Sequence, residues 1–154
     1  VILQGEEQSM AFKVTVSVLS ESQEGDIGDD WKFDLTVKVF NEGLKGEGHI
    51  KVKKHNLPAG FVQDPPGPPE PLVLPAGDGE QSILIRMILL ATEVDLFQND
   101  SGTVESDLTC PCPSAVDRIS AHQTELSVGV RESPGFLNQV AVFTLKLRIV
   151  IERV

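Results

Sequence analysis

The chain has 154 residues, 23 of them Asp or Glu against 13 Lys or Arg, for a net charge of −10 at pH 7. That length suits one domain with a core of its own, and the acidic balance opposes binding to nucleic acid or to bare anionic membrane. No run nears the ~18 apolar residues of a membrane helix and Val1-Ile2-Leu3 is too short for a signal-peptide core, so the chain reads as soluble.

Residues 11–19 alternate, with Phe12, Val14, Val16 and Val18 on one parity and Lys13, Thr15 and Ser17 on the other. Side chains in a strand switch faces at every residue, so this is a half-buried strand. A first acidic stretch follows, Glu21, Glu24, Asp26, Asp29, Asp30 and Asp34 around a single Lys32. Trp31, Phe33, Leu35, Val37 and Val39 then repeat the alternation, and the two strands are expected to pair as a hairpin. Gly43, Gly46 and Gly48 read as a loose turn into a short, edge-like strand from His49 to His55.

Residues 58–79 hold Pro58, Pro65, Pro66, Pro68, Pro69, Pro71 and Pro75. Proline has no amide to give a sheet ladder and a fixed φ, so this stretch is expected as an extended crossover between sheets, outside the central sheet. Pro65 to Pro68 and Pro66 to Pro69 have Pro-x-x-Pro spacing, but no Lys or Arg flanks them to orient a proline-reading partner. A stiff connection is the favoured reading.

After the turn Gly77-Asp78-Gly79, Ser82 to Ala91 is a nearly continuous apolar run. Its length and β-branched residues predict a strand covered on both faces, extended past a bulge by Glu93 to Phe97. A second acidic stretch overlaps its end: Glu93, Asp95, Asp100, Glu105 and Asp107, with no basic residue among them. Cys110-Pro111-Cys112-Pro113, residues 110–113, holds the only cysteines in a loop. A disulfide over so short a span is strained, which excludes a secreted disulfide scaffold and leans toward a reducing compartment. Zinc would need Cys110 and Cys112 with His122, a spacing unlike ordinary sites, so free thiols are favoured.

Glu125 to Val130 and Val140 to Ile151 complete the strands, the last with Phe143, Leu145, Leu147, Ile149 and Ile151 on one face. Six or more strand signals without an amphipathic helix predict an all-β fold. It is an antiparallel β-sandwich spanning 1–154 as a single domain, with Greek-key, immunoglobulin-like or calcium-lipid-module-like topology. The chain begins at Val1 rather than Met, as a piece of something longer would.

The common enzyme signatures are absent: no Gly-x-Ser-x-Gly, no His-Glu-x-x-His, no phosphate-cradling loop and no dinucleotide fingerprint. Ser120 and His122 near Asp117 match the residue types of a hydrolase triad, a match that polar loops produce by chance. With no Tyr and one Trp, placed by patterning in the core, sugar cleavage or sugar binding is disfavoured.

The acidic loops remain. Crowded carboxylates repel unless solvent or a cation separates them, and calcium takes six to eight oxygens. Asp26, Asp29 and Asp30 on the first turn with Asp95, Asp100 and Asp107 on the second are the candidate calcium ligands. This arrangement resembles the calcium-dependent lipid-binding sandwich modules, in which aspartates of separate loops share cations that meet phospholipid. The likeness implies calcium as cofactor and a membrane as partner only through it. It covers two loops and the strand count, and no stretch matches a family motif. Apolar loop tips are not evident, while Lys51, Lys53 and Lys54 are candidates for a basic strand. Exposed turns also favour Asp and Asn for their backbone preferences, and no twelve-residue Asp-x-Asp-x-Asp-Gly loop occurs, so a solvated rim is the favoured reading. Asn99-Asp100-Ser101 is a glycosylation acceptor, meaningful only in a secreted chain.

The leading expectation is a non-catalytic binding or assembly module, part of a larger protein or particle, meeting a protein partner or a second copy along sheet edges such as His49 to His55. A calcium-binding module is the first alternative. A small hydrolase near Ser120/His122 or the cysteines is the second.

Overall fold

The computed structural model describes residues 11–79, 81–132 and 139–154. Nine strands follow in order: β1 (Ala11–Glu24), β2 (Asp30–Phe40), β3 (Leu44–Asn56), β4 (Val62–Gln63), β5 (Leu72–Asp78), β6 (Ser82–Glu93), β7 (Asp100–Pro111), β8 (Ile119–Arg131) and β9 (Val140–Arg153). One sheet runs β4-β1-β9-β8, with β5 sharing the outer side of β1, and the other runs β3-β2-β6-β7. Every pairing is antiparallel, and the two sheets pack face to face as a β-sandwich. No helix long and apolar enough to cross a membrane occurs among the described residues.

The core follows from alternation. Val14 and Val16 of β1 and Leu145, Leu147, Ile149 and Ile151 of β9 meet Leu35, Val37 and Val39 of β2 and Ile85, Met87 and Leu89 of β6, all wholly buried. Each such side chain contributes roughly 1.5–3 kcal/mol by leaving water. Across the sheets Trp31 stacks on Phe143 with ring centroids 5.5 Å apart, and Phe33 lies 5.7 Å from the same ring.

Several expectations are corrected. β1 and β2 do not form a hairpin: β1 pairs with β9 and β2 with β6, and residues 25–29 cross from one sheet to the other. Two strands with one apolar face each satisfy that pattern side by side or across a core, and here they face each other. At Gly25 the crossing runs so close to β9 that a Cβ would lie 2.5 Å from Ala141 Cα.

Strand β3 is not short. It begins at Leu44 and runs through Gly46 and Gly48, which are not turn residues. They let the facing sheet approach: a Cβ at Gly46 would sit 2.6 Å from Pro75 O, and one at Gly48 2.8 Å from Leu72 Cδ1. Within the proline-rich stretch, β5 is a true sheet member, with Pro75 opposite Lys13. An edge strand tolerates proline because its amide is not needed on the open side. The chain does pass through 58–79 from the second sheet to the first, then returns at β6.

β6 is covered on one face only. Ile83, Ile85, Met87, Leu89 and Ala91 are buried, while Leu84, Arg86, Ile88 and Leu90 face outward, and the strand stops at Glu93 without continuing to Phe97. β7, missed by periodicity, presents Gly102, Val104, Ser106 and Leu108 inward, a row too polar and small to read as a strand face.

Candidate functional site

Antiparallel pairing sets Trp31 opposite Glu93 and Glu93 opposite Asp100. The connections 25–29 and 94–99 therefore lie at one end of the sandwich, joined there by Leu57. Backbone bonds knit them: Leu57 N donates to Asp29 O and Val94 N to Asp30 O, both at 2.7 Å. Gly28 O accepts from Trp31 Nε1 at 3.0 Å and from Gln23 Nε2 at 3.2 Å, and Gln23 Nε2 also reaches Leu57 O. The acidic turns thus stand on a bonded frame.

Glu93 is the centre of this end. It continues the inward parity of Leu89 and Ala91 and is 3 % exposed, and its Oε1 has no hydrogen-bond partner among the described residues. Burial, with the carboxylates of Asp95, Asp100, Asp30 and Glu132 nearby, pushes its pKa up to about 7. Gly28 leaves room for it, since a Cβ there would collide with the Glu93 carboxylate. The cleft in front, of about 350 Å³, is lined by Ile27, Gly28, Asp29, Asp30, Lys54, Glu93, Val94, Asp95 and Leu96.

Of the six candidate calcium ligands, the fold gathers five at this end and separates one. Asp26, Asp29, Asp30 and Asp95 are exposed and Asp100 is buried. Asp107 stands seven residues along β7 from Asp100, about 23 Å at ~3.3 Å per residue. There it accepts two bonds from Arg86, at 2.9 and 3.0 Å, which hold its carboxyl below the usual range and raise the guanidinium. Among the described residues no three His, Cys, Asp or Glu side chains converge as ligands of one metal ion. The carboxylates are close enough to raise Glu93 and too dispersed to close around a point charge. The 94–99 turn carries Leu96 and Phe97 at 91 % and 96 % exposure, the apolar loop tip that composition did not reveal.

Elsewhere, Cys110 and Cys112 are free thiols, and burial pushes both up. They and His122 hold no metal geometry. Ser120 Oγ and His122 Nε2 are buried without hydrogen-bond partners among the described residues, and the Asp117 amide donates to Ser114 Oγ in the preceding turn. These three residues form no hydrogen-bonded triad.

Two features escaped the sequence. Glu21 of β1, wholly buried, accepts from His55 Nε2 at 2.6 and 2.8 Å and from Gln63 Nε2 at 3.0 Å. His55 Nδ1 lies 2.7 Å from Lys53 O. This clasp ties β3 to the opposite sheet, and its residues are too far apart in the chain for spacing to show it. For Glu93 a signal existed: its parity matches the buried residues of β6.

The outer side of β3 is the other distinctive surface. Its backbone bonds to the backbone of β2 alone among the described residues. Four of the chain's 13 cationic side chains, Lys45, Lys51, Lys53 and Lys54, are exposed along it.

Compared with known proteins, the chain matches no protein-family model and no curated sequence. Its functional reading rests on this geometry: an antiparallel sandwich with a basic open edge and an acidic loop end.

Proposed function

We propose that this sandwich is a non-catalytic binding or assembly module that takes an added strand from a protein partner along β3. The observation that carries the reading is the 13-residue edge strand whose backbone ladder, among the described residues, is with β2 alone. Unpaired donors and acceptors along such an edge are satisfied by an extended segment of another chain. The lysines and the register shift between Trp31 and Phe33 blunt indiscriminate pairing and favour an acidic strand. A second copy supplies one in β7, an edge strand with Glu105 and Asp107 facing outward.

The test uses two prolines. Of any two successive residues in an edge strand, one points its amide at the neighbouring strand and the other at solvent. Of Lys51→Pro and Val52→Pro, therefore, one breaks the ladder with β2 and melts earlier, while the other keeps its melting temperature and loses only the open edge. Sedimentation across a concentration series, alone and with a short peptide alternating Glu and Val, reads the association. Loss of the heavier species in the thermally normal variant supports strand addition. Unchanged mass in that variant sinks it.

A further inference from the structure

We infer that the acidic end is a second, independent docking site, where the cleft at Glu93 receives a Lys or Arg side chain from an amphipathic segment of a protein partner and Leu96 and Phe97 meet that segment's apolar face.

The starting point is the orphaned Glu93 Oε1. A buried carboxylate is costly unless paired, and Glu93, which lines the cleft, has one oxygen without a hydrogen-bond partner among the described residues, so the carboxyl keeps acceptor capacity for a group from outside the chain. Lys54 lines the same cleft yet forms no ion pair within 4.0 Å of any carboxylate there. The need for a cation is left to an external group.

Dispersion of the carboxylates selects the kind of cation. Calcium draws six to eight oxygens inward to about 2.3–2.6 Å, and no three of these side chains converge that way. A guanidinium or ammonium group at the end of a long side chain needs only two or three acceptors and bridges oxygens several ångströms apart. Asp29, Asp30 and Asp95 around the mouth supply those, with Glu93 at the back.

The apolar pair selects what carries that cation. Single exposed apolar residues are ordinary. Leu96 lines the cleft and Phe97 follows it in the chain, both almost fully exposed, and the pair fits a segment with a basic side chain beside apolar ones. An anionic membrane fits poorly, because its phosphates would meet carboxylates first.

The probe is a fluorescently labelled amphipathic peptide of Arg and Leu, titrated with the whole chain at physiological ionic strength and followed by anisotropy. Glu93→Gln with Asp95→Asn should weaken binding about tenfold, and Leu96→Ser with Phe97→Ser at least about threefold. Glu125→Gln with Glu152→Gln removes two carboxyl groups from the other sheet, where both are open to solvent at least in part, and should change affinity by less than about twofold. Asp95→Asn alone, at an exposed position and with an oxygen kept for the Leu96 amide, should also weaken binding while leaving the melting temperature unchanged. Equal weakening by the distant pair would reduce the effect to general acidity and overturn the site. So would absence of binding to the unaltered chain. Displacement of the peptide by calcium but not magnesium, with a calcium-specific rise in melting temperature, would replace it by a metal site.

Discussion

Glu93 shows how one residue sets the chemistry of a whole loop end. A carboxyl pointing inward at the last position of β6 has lost its water, and the charges around it repel a second negative charge. Its pKa is about 7 in the fold and ordinarily 4.5, so between those values the folded state binds the extra proton. Stability therefore falls as pH rises from about 4.5 to about 7, by roughly 3 kcal/mol at about 1.4 kcal/mol per pH unit. Glu93→Gln should melt with the parent protein near pH 4.5 and clearly above it at pH 8, in thermal scans across that range. Equal melting temperatures at pH 8 would show that the carboxylate carries no such penalty. The residue was visible in the sequence as one acid among several. What set it apart was its parity with Leu89 and Ala91, whereas the Asp turns on either side owe their placement to β2 pairing with β6, which periodicity does not specify.

At the scale of elements, glycine and polar alternation caused the misreadings. Gly46 and Gly48 carry the same sequence signal as a turn, yet they mark where β5 presses against β3. The two differ in what they meet: Gly46 abuts a carbonyl of the backbone, Gly48 the end of a leucine side chain that can turn aside. Gly46→Ala should cost about 1–3 kcal/mol by overpacking and Gly48→Ala clearly less, measured by urea unfolding. Equal losses would mean that the sheets yield as easily at backbone as at side chain. β7 was hidden for the opposite reason. Its inner row alternates Gly102 and Ser106 with Val104 and Leu108, and Gly102 lies against Gly129 O and Val128 Cγ2 of β8, so no unbroken hydrophobic rhythm announced it. Strands along the centre were plain because their inner rows hold long apolar runs, Phe12 to Val18 in β1, Trp31 to Val39 in β2 and Ala141 to Ile151 in β9.

For the molecule as a whole, the sandwich class followed from alternation, and the partners of each strand did not, since pairing depends on contacts far apart in the chain. β9 joins the first sheet, lying between β1 and β8 and giving five wholly buried residues from Phe143 to Ile151. Removing residues 149–154 deletes two core isoleucines and strips β1 of its β9 partners from Phe12 to Val16. Such a chain should lose its cooperative melt and be digested by protease within the time the intact protein survives, and a normal melt would contradict the central role of β9. The same long-range design leaves a single indole, Trp31, wedged on Phe143 with its Nε1 bonded to Gly28 O in the acidic turn. With no tyrosine in the chain, ultraviolet emission comes from that one ring. The protein thus carries its own optical gauge, which brightens, dims or shifts in colour when the 25–29 turn moves, so occupancy of the acidic end can be followed without any attached dye.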